Sequence, residues 1–341
     1  MRKPVALVTG ANGEIGHALI HALAERGDLA IVALDLNPLP EALSRLCAMT
    51  LIGDMLDKNL LERLISEVAV REVYHLAALL STRSEYTPDT AHRVNVGGTL
   101  ELLRLATSQA RRDGIPVVFV FPSSIAVYGL PDRETKARAG AIAENEFNEP
   151  TTMYGCNKLY CEHLGRYFHK HFGQLDLTFQ PSGVDFRALR FPGLISADSV
   201  PSGGTSDWGP ELLHAAASGN AYDCFVAPDA RLPFMAMPDA VSAILALANA
   251  DPGRLRQRVF NIGGFSVSAE EIRARAERAF PGARLGWAKP GARAAIVDSW
   301  PADVDDRAAR EQWGWAPAFD IDRAFDEYLI PTLRRRYQGH A

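Results

Sequence analysis

Tyr154 and Lys158 stand four residues apart in Tyr154-Gly155-Cys156-Asn157-Lys158, inside a pattern that predicts a helix over 154–172. That spacing puts both side chains on one helix face. A free phenol ionises near pH ~10 and is a poor base at neutral pH, but a neighbouring ammonium stabilises the phenolate, so the pair could take a proton from a hydroxyl. Upstream, Pro122-Ser123-Ser124 follows a very apolar run at 117–121. Two hydroxyls there would stand at the carboxyl end of a strand, where parallel sheets bind ligands. Tyr and Lys at this spacing also arise by chance on protein surfaces, so the rest of the chain has to supply their context.

The next cluster is Gly10-Ala11-Asn12-Gly13-Glu14-Ile15-Gly16, between a predicted strand at 5–8 and a helix marked by Ile15, Leu19 and Leu23. Small residues let the backbone approach a pyrophosphate, and the first turn of a helix offers unsatisfied N–H groups to its charge. Gly10, Asn12, Gly13, Glu14 and Ile15 are therefore candidate cofactor contacts. The following strand, at 29–34, runs out at Asp35, with Leu36 after it. A carboxylate at that point accepts hydrogen bonds from a ribose diol and repels an added phosphate, which favours NAD over NADP. Asp54 and Met55, ahead of another helix, are candidates for the adenine side, although Asp54 reads nearly as well as an exposed loop carboxylate.

Positioning these groups requires alternating strands and helices. Strands are predicted at 5–8, 29–34, 72–76, 117–121 and 186–190, with helices at 56–67, 91–112 and 154–172, and Gly27 as a helix stop. Such alternation specifies an α/β fold, a Rossmann-type doubly wound parallel sheet. After Pro192 the texture changes: 196–209 is rich in Ser, Gly and Pro. The expected organisation is a nucleotide-binding domain over 1–192, with a return segment at about 236–262 holding a helix at 239–249 and a strand at 259–262. A smaller, discontinuous C-terminal substrate domain is expected over 193–341, mainly 193–235 and 263–341. Ser268 and Glu271 have capping-box spacing and should open a helix there.

Composition bounds the possibilities. The 341 residues suffice for about two domains of roughly 150 residues each. With 47% hydrophobic and 23% charged residues, the chain lies outside the disordered class. A net charge of −5 argues against nucleic acid as a partner. The four cysteines, Cys47, Cys156, Cys161 and Cys224, show neither C-x-x-C nor zinc-type spacing, so no metal site is expected, the thiols read as small buried groups, and a reducing cytoplasm fits. His163, His169 and His171 do not share one helix face and read as solvated or packed. The charged start Met1-Arg2-Lys3 leads into a glycine-broken stretch rather than a cleavage site, and no run approaches the length of a membrane span.

Three more segments, His75-Leu76-Ala77-Ala78, Asn95-Val96-Gly97-Gly98-Thr99 and Arg190-Phe191-Pro192-Gly193, complete an ordered set. Taken with the glycine loop, the Ser-Ser turn and the Tyr/Lys pair, the chain resembles the extended short-chain dehydrogenase/reductase family over essentially its whole length. Within it, Pro192-Gly193-Leu194-Ile195-Ser196, Gly203-Gly204-Thr205-Ser206-Asp207 and Asp298-Ser299-Trp300-Pro301 are similar to the short-chain L-threonine 3-dehydrogenases. Trp208 and Glu14 depart from that pattern, where Tyr and Gln are usual, and 131–148 and 174–184 are longer than the family norm.

The resemblance implies an NAD-dependent oxidoreductase, a cytoplasmic homodimer, with L-threonine or a related β-hydroxy acid as substrate and 2-amino-3-oxobutyrate as product. It gives Tyr154 the role of general base, Lys158 that of ribose anchor, and Ser124, or less favourably Ser123, the hydrogen bond to the reacting oxygen. Ser81, Thr205, Ser206 and Asp207 are implied to bind the amino acid, and Leu76, Ala77, Ala78, Asn95 and Pro192 to border the cofactor. A sugar-nucleotide epimerase or dehydratase of the same family stays open as an alternative, as does a silent NAD-binding sensor. No basic cluster for a second pyrophosphate is evident in 196–223.

Overall fold

The computed structural model describes residues 2–175, 182–201 and 203–339. Its centre is a seven-stranded sheet. The first five strands are β1 (Pro4–Thr9), β2 (Ala30–Asp35), β3 (Met49–Ile52), β4 (Ala69–His75) and β5 (Val117–Ser124). Val184–Phe191 and then Val259–Asn261 extend the sheet beyond β5, and on the other side β4 is followed by β1, β2 and β3. The pairs β1/β2, β1/β4, β2/β3 and β4/β5 are parallel. Strand order therefore reverses at β1, and the loops leaving β1 and β4 emerge side by side, where open α/β sheets place ligands.

Strands buried on both faces explain the near-continuous apolar runs in sequence: Val5, Ala6, Leu7 and Val8 are all buried, as are Ile31 to Leu34 in β2. The helix after the glycine loop, α1 (Glu14–Arg26), buries Leu19, Ile20 and Leu23 and ends at Gly27, whose φ of 67° supplies the left-handed cap expected from the sequence. The helix expected over 91–112 is instead divided into Pro88–His92, a π-helical turn Arg93–Gly97, and Gly98–Asp113. The widened turn carries Asn95, whose side chain both accepts from Leu79 N at 2.8 Å and donates to Leu79 O at 3.1 Å. That pairing ties the turn to the loop after β4, a local demand that periodicity does not reveal.

The chain divides into two compact units: Met1–Ser123 with Cys156–Leu189 and Val241–Phe260, and Ser124–Gly155 with Arg190–Ala240 and Asn261–Ala341. The first includes Val241–Phe260, where the sequence reading expected a return segment at about 236–262. The second includes 124–155, a stretch that the sequence reading kept with the nucleotide-binding domain.

In the second unit, Gly193–Ile195, Arg231–Ala236 and Phe265–Ser268 form a three-stranded sheet. Ser268 and Glu271 make the expected capping box on the helix Ala269–Ala279. The longer stretch 131–148 folds into a helix, Arg133–Ala139, capped by Asp132, and a short strand, Ala141–Ile142, paired with Asp303–Val304. Most of the other long stretch, at 176–181, lies outside the described residues. Among the described residues, no helix is long and apolar enough to cross a membrane.

Candidate active site and cofactor cradle

In the first unit the glycine loop is shaped by close approach. Gly10 has φ +68°, and a Cβ there would lie 2.6 Å from Ala77 N, so β1 and β4 deliver their loops into direct backbone contact. At Gly16 a Cβ would lie 2.5 Å from Ala11 O. No side chain fits at either position. The Asp35 carboxylate, at the end of β2, accepts from Asn12 N and from Asn37 N, both at 3.0 Å. It thus braces the loop from the end of β2. Gly13 is the N-cap of α1, with Glu14 exposed and Ile15 half-buried in its first turn. Leu76 N donates to Thr9 O at 3.0 Å, and Ala77 and Ala78 follow half-buried.

Other expected contacts are placed differently from one another. Leu36 is exposed, as is Asp54, whose carboxylate accepts from Leu56 N at 2.9 Å. Met55 is buried with its thioether pressed toward Gly98. Ser81 is buried at the start of the short helix Ser81–Tyr86. Asn95 is buried and committed to Leu79, as described. His75, fully enclosed, has Thr9 Oγ1 and Thr99 Oγ1 each 2.9 Å from a ring nitrogen; burial, with Lys158 adding to it, pushes its pKa down to about 3. Of the cysteines, Cys161 and Cys224 are buried as expected, Cys47 is half-buried, and Cys156 is exposed.

Lys158 is buried on the helix Met153–Lys170, its Nζ donating to Pro122 O at 2.6 Å and lying 4.5 Å from the centre of the Phe121 ring. Burial lowers its pKa to about 8. The Ser123 hydroxyl donates to Glu162 Oε1 at 2.5 Å, both residues being buried. Glu162 was not foreseen. Its signal was the continuation of the Tyr154/Lys158 spacing by one more turn.

In the second unit Ser124 keeps its proton for donation, since its Oγ accepts from Ala126 N at 3.1 Å. Tyr154 lies in the first turn of the helix Met153–Lys170: a Cβ at Gly155 would fall 2.0 Å from Ala126 O, so the helix start and the segment after Ser124 meet backbone to backbone with no room for a side chain between. Desolvation raises the Tyr154 phenol above its ordinary pKa, the reverse of the lowering expected from the Lys158 spacing. Thr205 is buried, Ser206 and Asp207 are half-buried, and Pro192 is buried between two strands. Asp207 Oδ2 accepts from Gly203 N at 3.0 Å and Gly204 N at 2.7 Å, so this oxygen braces its own loop. Arg293 donates to Gly204 O, pairs with Glu211 at 3.2 Å and lies 3.9 Å over the Phe225 ring. Sequence spacing gave no sign of this latch, 89 residues from the loop it holds. Trp208, the departure noted above, is fully buried edge-on to Phe234.

A parallel sheet that reverses at β1, a glycine loop with no room for side chains and a carboxylate at the end of β2 define a Rossmann-type nucleotide-binding protein with Tyr and Lys one helical turn apart. Residues 6–263 match the model of the NAD dependent epimerase/dehydratase family, and the chain belongs to that family.

Among its relatives is the mitochondrial L-threonine 3-dehydrogenase of Bos taurus, 32% identical over 92% of this chain and 79% of that protein. Solved structures resemble it end to end. The GalE-like L-threonine dehydrogenase of Cupriavidus necator in its holo form has a TM-score of 0.83 and 33% identity, covering 96% of this chain and 99% of that one. The L-threonine 3-dehydrogenase of Trypanosoma brucei has a TM-score of 0.82 and 32% identity, covering 99% and 98%. A UDP-glucose 4-epimerase from Thermotoga maritima, at 20% identity and a TM-score of 0.80, shares the fold alone.

Proposed function

We propose that the protein oxidises the β-hydroxyl of L-threonine with NAD, giving 2-amino-3-oxobutyrate. The observation that carries this reading is the end-to-end likeness to L-threonine dehydrogenases, which extends through the second unit, where substrate specificity would reside.

The residues fit the cofactor: glycines whose Cβ positions are filled by backbone keep the loop drawn in at the α1 N-terminus, whose first N–H groups could meet a pyrophosphate, and Asp35, at the end of β2, could accept from a ribose diol. Gly10, Asn12, Gly13, Glu14 and Ile15 would border the phosphates, Leu36, Asp54 and Met55 the adenosine side, and Leu76, Ala77, Ala78, Asn95 and Pro192 the remainder. When bound, NAD supplies the hydride acceptor. Tyr154 removes the hydroxyl proton, Ser124 donates to the oxygen that becomes a carbonyl, and Lys158 anchors the ribose while favouring the phenolate. Thr205, Ser206 and Ser81 bind the zwitterion, with Asp207 holding the loop that presents the first two. Because burial raises the phenol, Lys158 has to supply more of the phenolate's stabilisation than spacing alone suggested.

The test is reduced-nicotinamide absorbance on mixing protein, NAD and L-threonine. Steady NADH production supports the reading; isomerisation of a sugar nucleotide with no NADH accumulating replaces it with the epimerase alternative. A cytoplasmic homodimer belongs to the same proposal; one metagenomic relative is described as monomeric, and sedimentation velocity decides the assembly.

A further inference from the structure

The helix Met153–Lys170 carries Tyr154, Lys158 and Glu162 at successive four-residue steps, so the three share one face. Two bonds join this face to the end of β5. Lys158 Nζ donates to Pro122 O at 2.6 Å, and the next residue, Ser123, donates to Glu162 Oε1 at 2.5 Å. Neighbouring residues on the strand are thus held by neighbouring turns of the helix, in a part of the protein from which solvent is excluded: Lys158 is 5% exposed and Glu162 0%. A buried carboxylate needs hydrogen bonds and a nearby positive charge. Glu162 has the Ser123 hydroxyl, and Arg166 Nη2 stands 3.8 Å from its other oxygen on the solvent side.

We propose that Glu162 is a positioning residue of the active site: through Ser123 it fixes the Pro122-Ser123-Ser124 turn, and its negative charge keeps Lys158 in the ammonium form. This rests on the reading of Tyr154 and Lys158 given above. The role is distinct from contact with substrate, since Glu162 acts only through Ser123 and Lys158.

The groups around Lys158 make the charge argument specific. From β4 it faces His75, which burial holds neutral. From β5 it faces the Phe121 ring and the Pro122 carbonyl. On its own helix stand Tyr154 one turn before, Cys161, whose thiol burial pushes up to about 11, and Glu162 one turn after. His75, the thiol and the phenol are all neutral near pH 7, so Glu162 is the carboxylate among these groups. Desolvation lowers the lysine to about 8, and the carboxylate opposes that drop. Removing it should move Lys158 through its charge transition inside the range where the enzyme works.

The experiment follows Lys158 directly by NMR titration of 13Cε-labelled lysine in the full chain without cofactor, the signal assigned by its loss in Lys158→Met. In Glu162→Gln, which keeps a hydrogen-bond acceptor for Ser123 but no charge, the Lys158 transition should fall by about one pH unit relative to the unsubstituted protein. The alkaline limb of kcat/KM should move down with it. Glu162→Asp, with its carboxylate drawn back, should shift in the same direction by less, which keeps the test available if the Gln variant does not fold. An unchanged Lys158 titration in the folded variant, even with a lowered Tm, overturns the proposal by leaving Glu162 a packing role only. Absence of L-threonine turnover in the unsubstituted protein would instead strike the functional reading, because the titration needs no substrate.

Discussion

At the scale of single residues, the proposed reacting groups were singled out because chemistry restricts residue type and spacing together. Tyr154, Lys158, Ser124, Asp35 and the glycines each had a reason to be where they are. Tyr154→Phe should therefore lower kcat by about 10²- to 10⁴-fold while NAD affinity, measured by fluorescence titration, stays near that of the unsubstituted protein. Asp35→Ser should narrow the preference for NAD over NADP, read as the ratio of kcat/KM values, because it removes both an acceptor for the ribose hydroxyls and the repulsion of the added phosphate. The same change frees Asn12 N and Asn37 N, so some loss of NAD affinity should accompany it. What type and spacing did not disclose is where a side chain spends its hydrogen bonds. Residue type alone does not separate Ser123 from Ser124; the bond from Ser123 to buried Glu162 and the bond from Ala126 N to Ser124 do. Asp207 carried the right charge to hold an ammonium, yet its Oδ2 already accepts from the two glycine amides ahead of it.

Elements were read from their periodicity, and they fail to be read where side chains rewrite the backbone. The turn at Arg93–Gly97 is the clearest case, since Asn95, Thr99 and the loop after β4 set its width together. His75 belongs to the same knot, joining β1, β4 and the helix Gly98–Asp113 through Thr9 and Thr99. Its pKa, lowered from 6.5 to about 3, gives a signed prediction. Between those values the unfolded chain binds a proton that the folded chain excludes, so stability falls as pH drops from 6.5 toward 3. Urea unfolding across that window should show a loss on the order of a few kcal/mol from this group. His75→Gln, which keeps hydrogen-bonding capacity without a titrating ring, should flatten that part of the acid limb. At the Gly203–Asp207 loop, Arg293→Met removes the donor to Gly204 O and the partner of Glu211. If the loop presents Thr205 and Ser206 to the amino acid, KM for L-threonine should rise, with kcat/KM falling about tenfold or more, while NAD affinity is unchanged.

For the whole molecule, a strand at 259–262 and a helix at 239–249 were expected to return to the first domain because their patterns resemble its own elements; the first compact unit includes Val241–Phe260. The anchor of that return was not legible. Asp185 and Arg187 alternate along their strand as polar positions do on a solvated face, and neither carries a motif. In the fold Arg187 is 2% exposed, paired with Asp185 at 2.5 Å, and its Nη1 donates to the carbonyls of Leu247, Ala248 and Ala250 at 2.6, 2.9 and 2.8 Å. Those carbonyls close the helix Met237–Ala248, whose last turn has no other basic side chain to meet its orphaned acceptors. Arg258, just ahead of the edge strand, pairs with the other Asp185 oxygen at 2.8 Å. One buried arginine thus holds the returning helix, and one carboxylate links it to the returning strand. Arg187→Met would leave Asp185 paired with Arg258 alone and deprive the carbonyls of Leu247, Ala248 and Ala250 of their shared donor, and a buried acceptor left unsatisfied costs about 1–3 kcal/mol. Denaturant unfolding of this variant should show a loss of that size. Arg187→Lys should recover only part of it, because an ammonium cannot span the carboxylate and the helix end as a guanidinium does. Hydrogen exchange should locate the damage: amides in 241–260 should lose protection more than those in β1 and β2. Uniform loss across the sheet would mean that the returning segment is held chiefly by its apolar face, and that Arg187 serves its own strand alone.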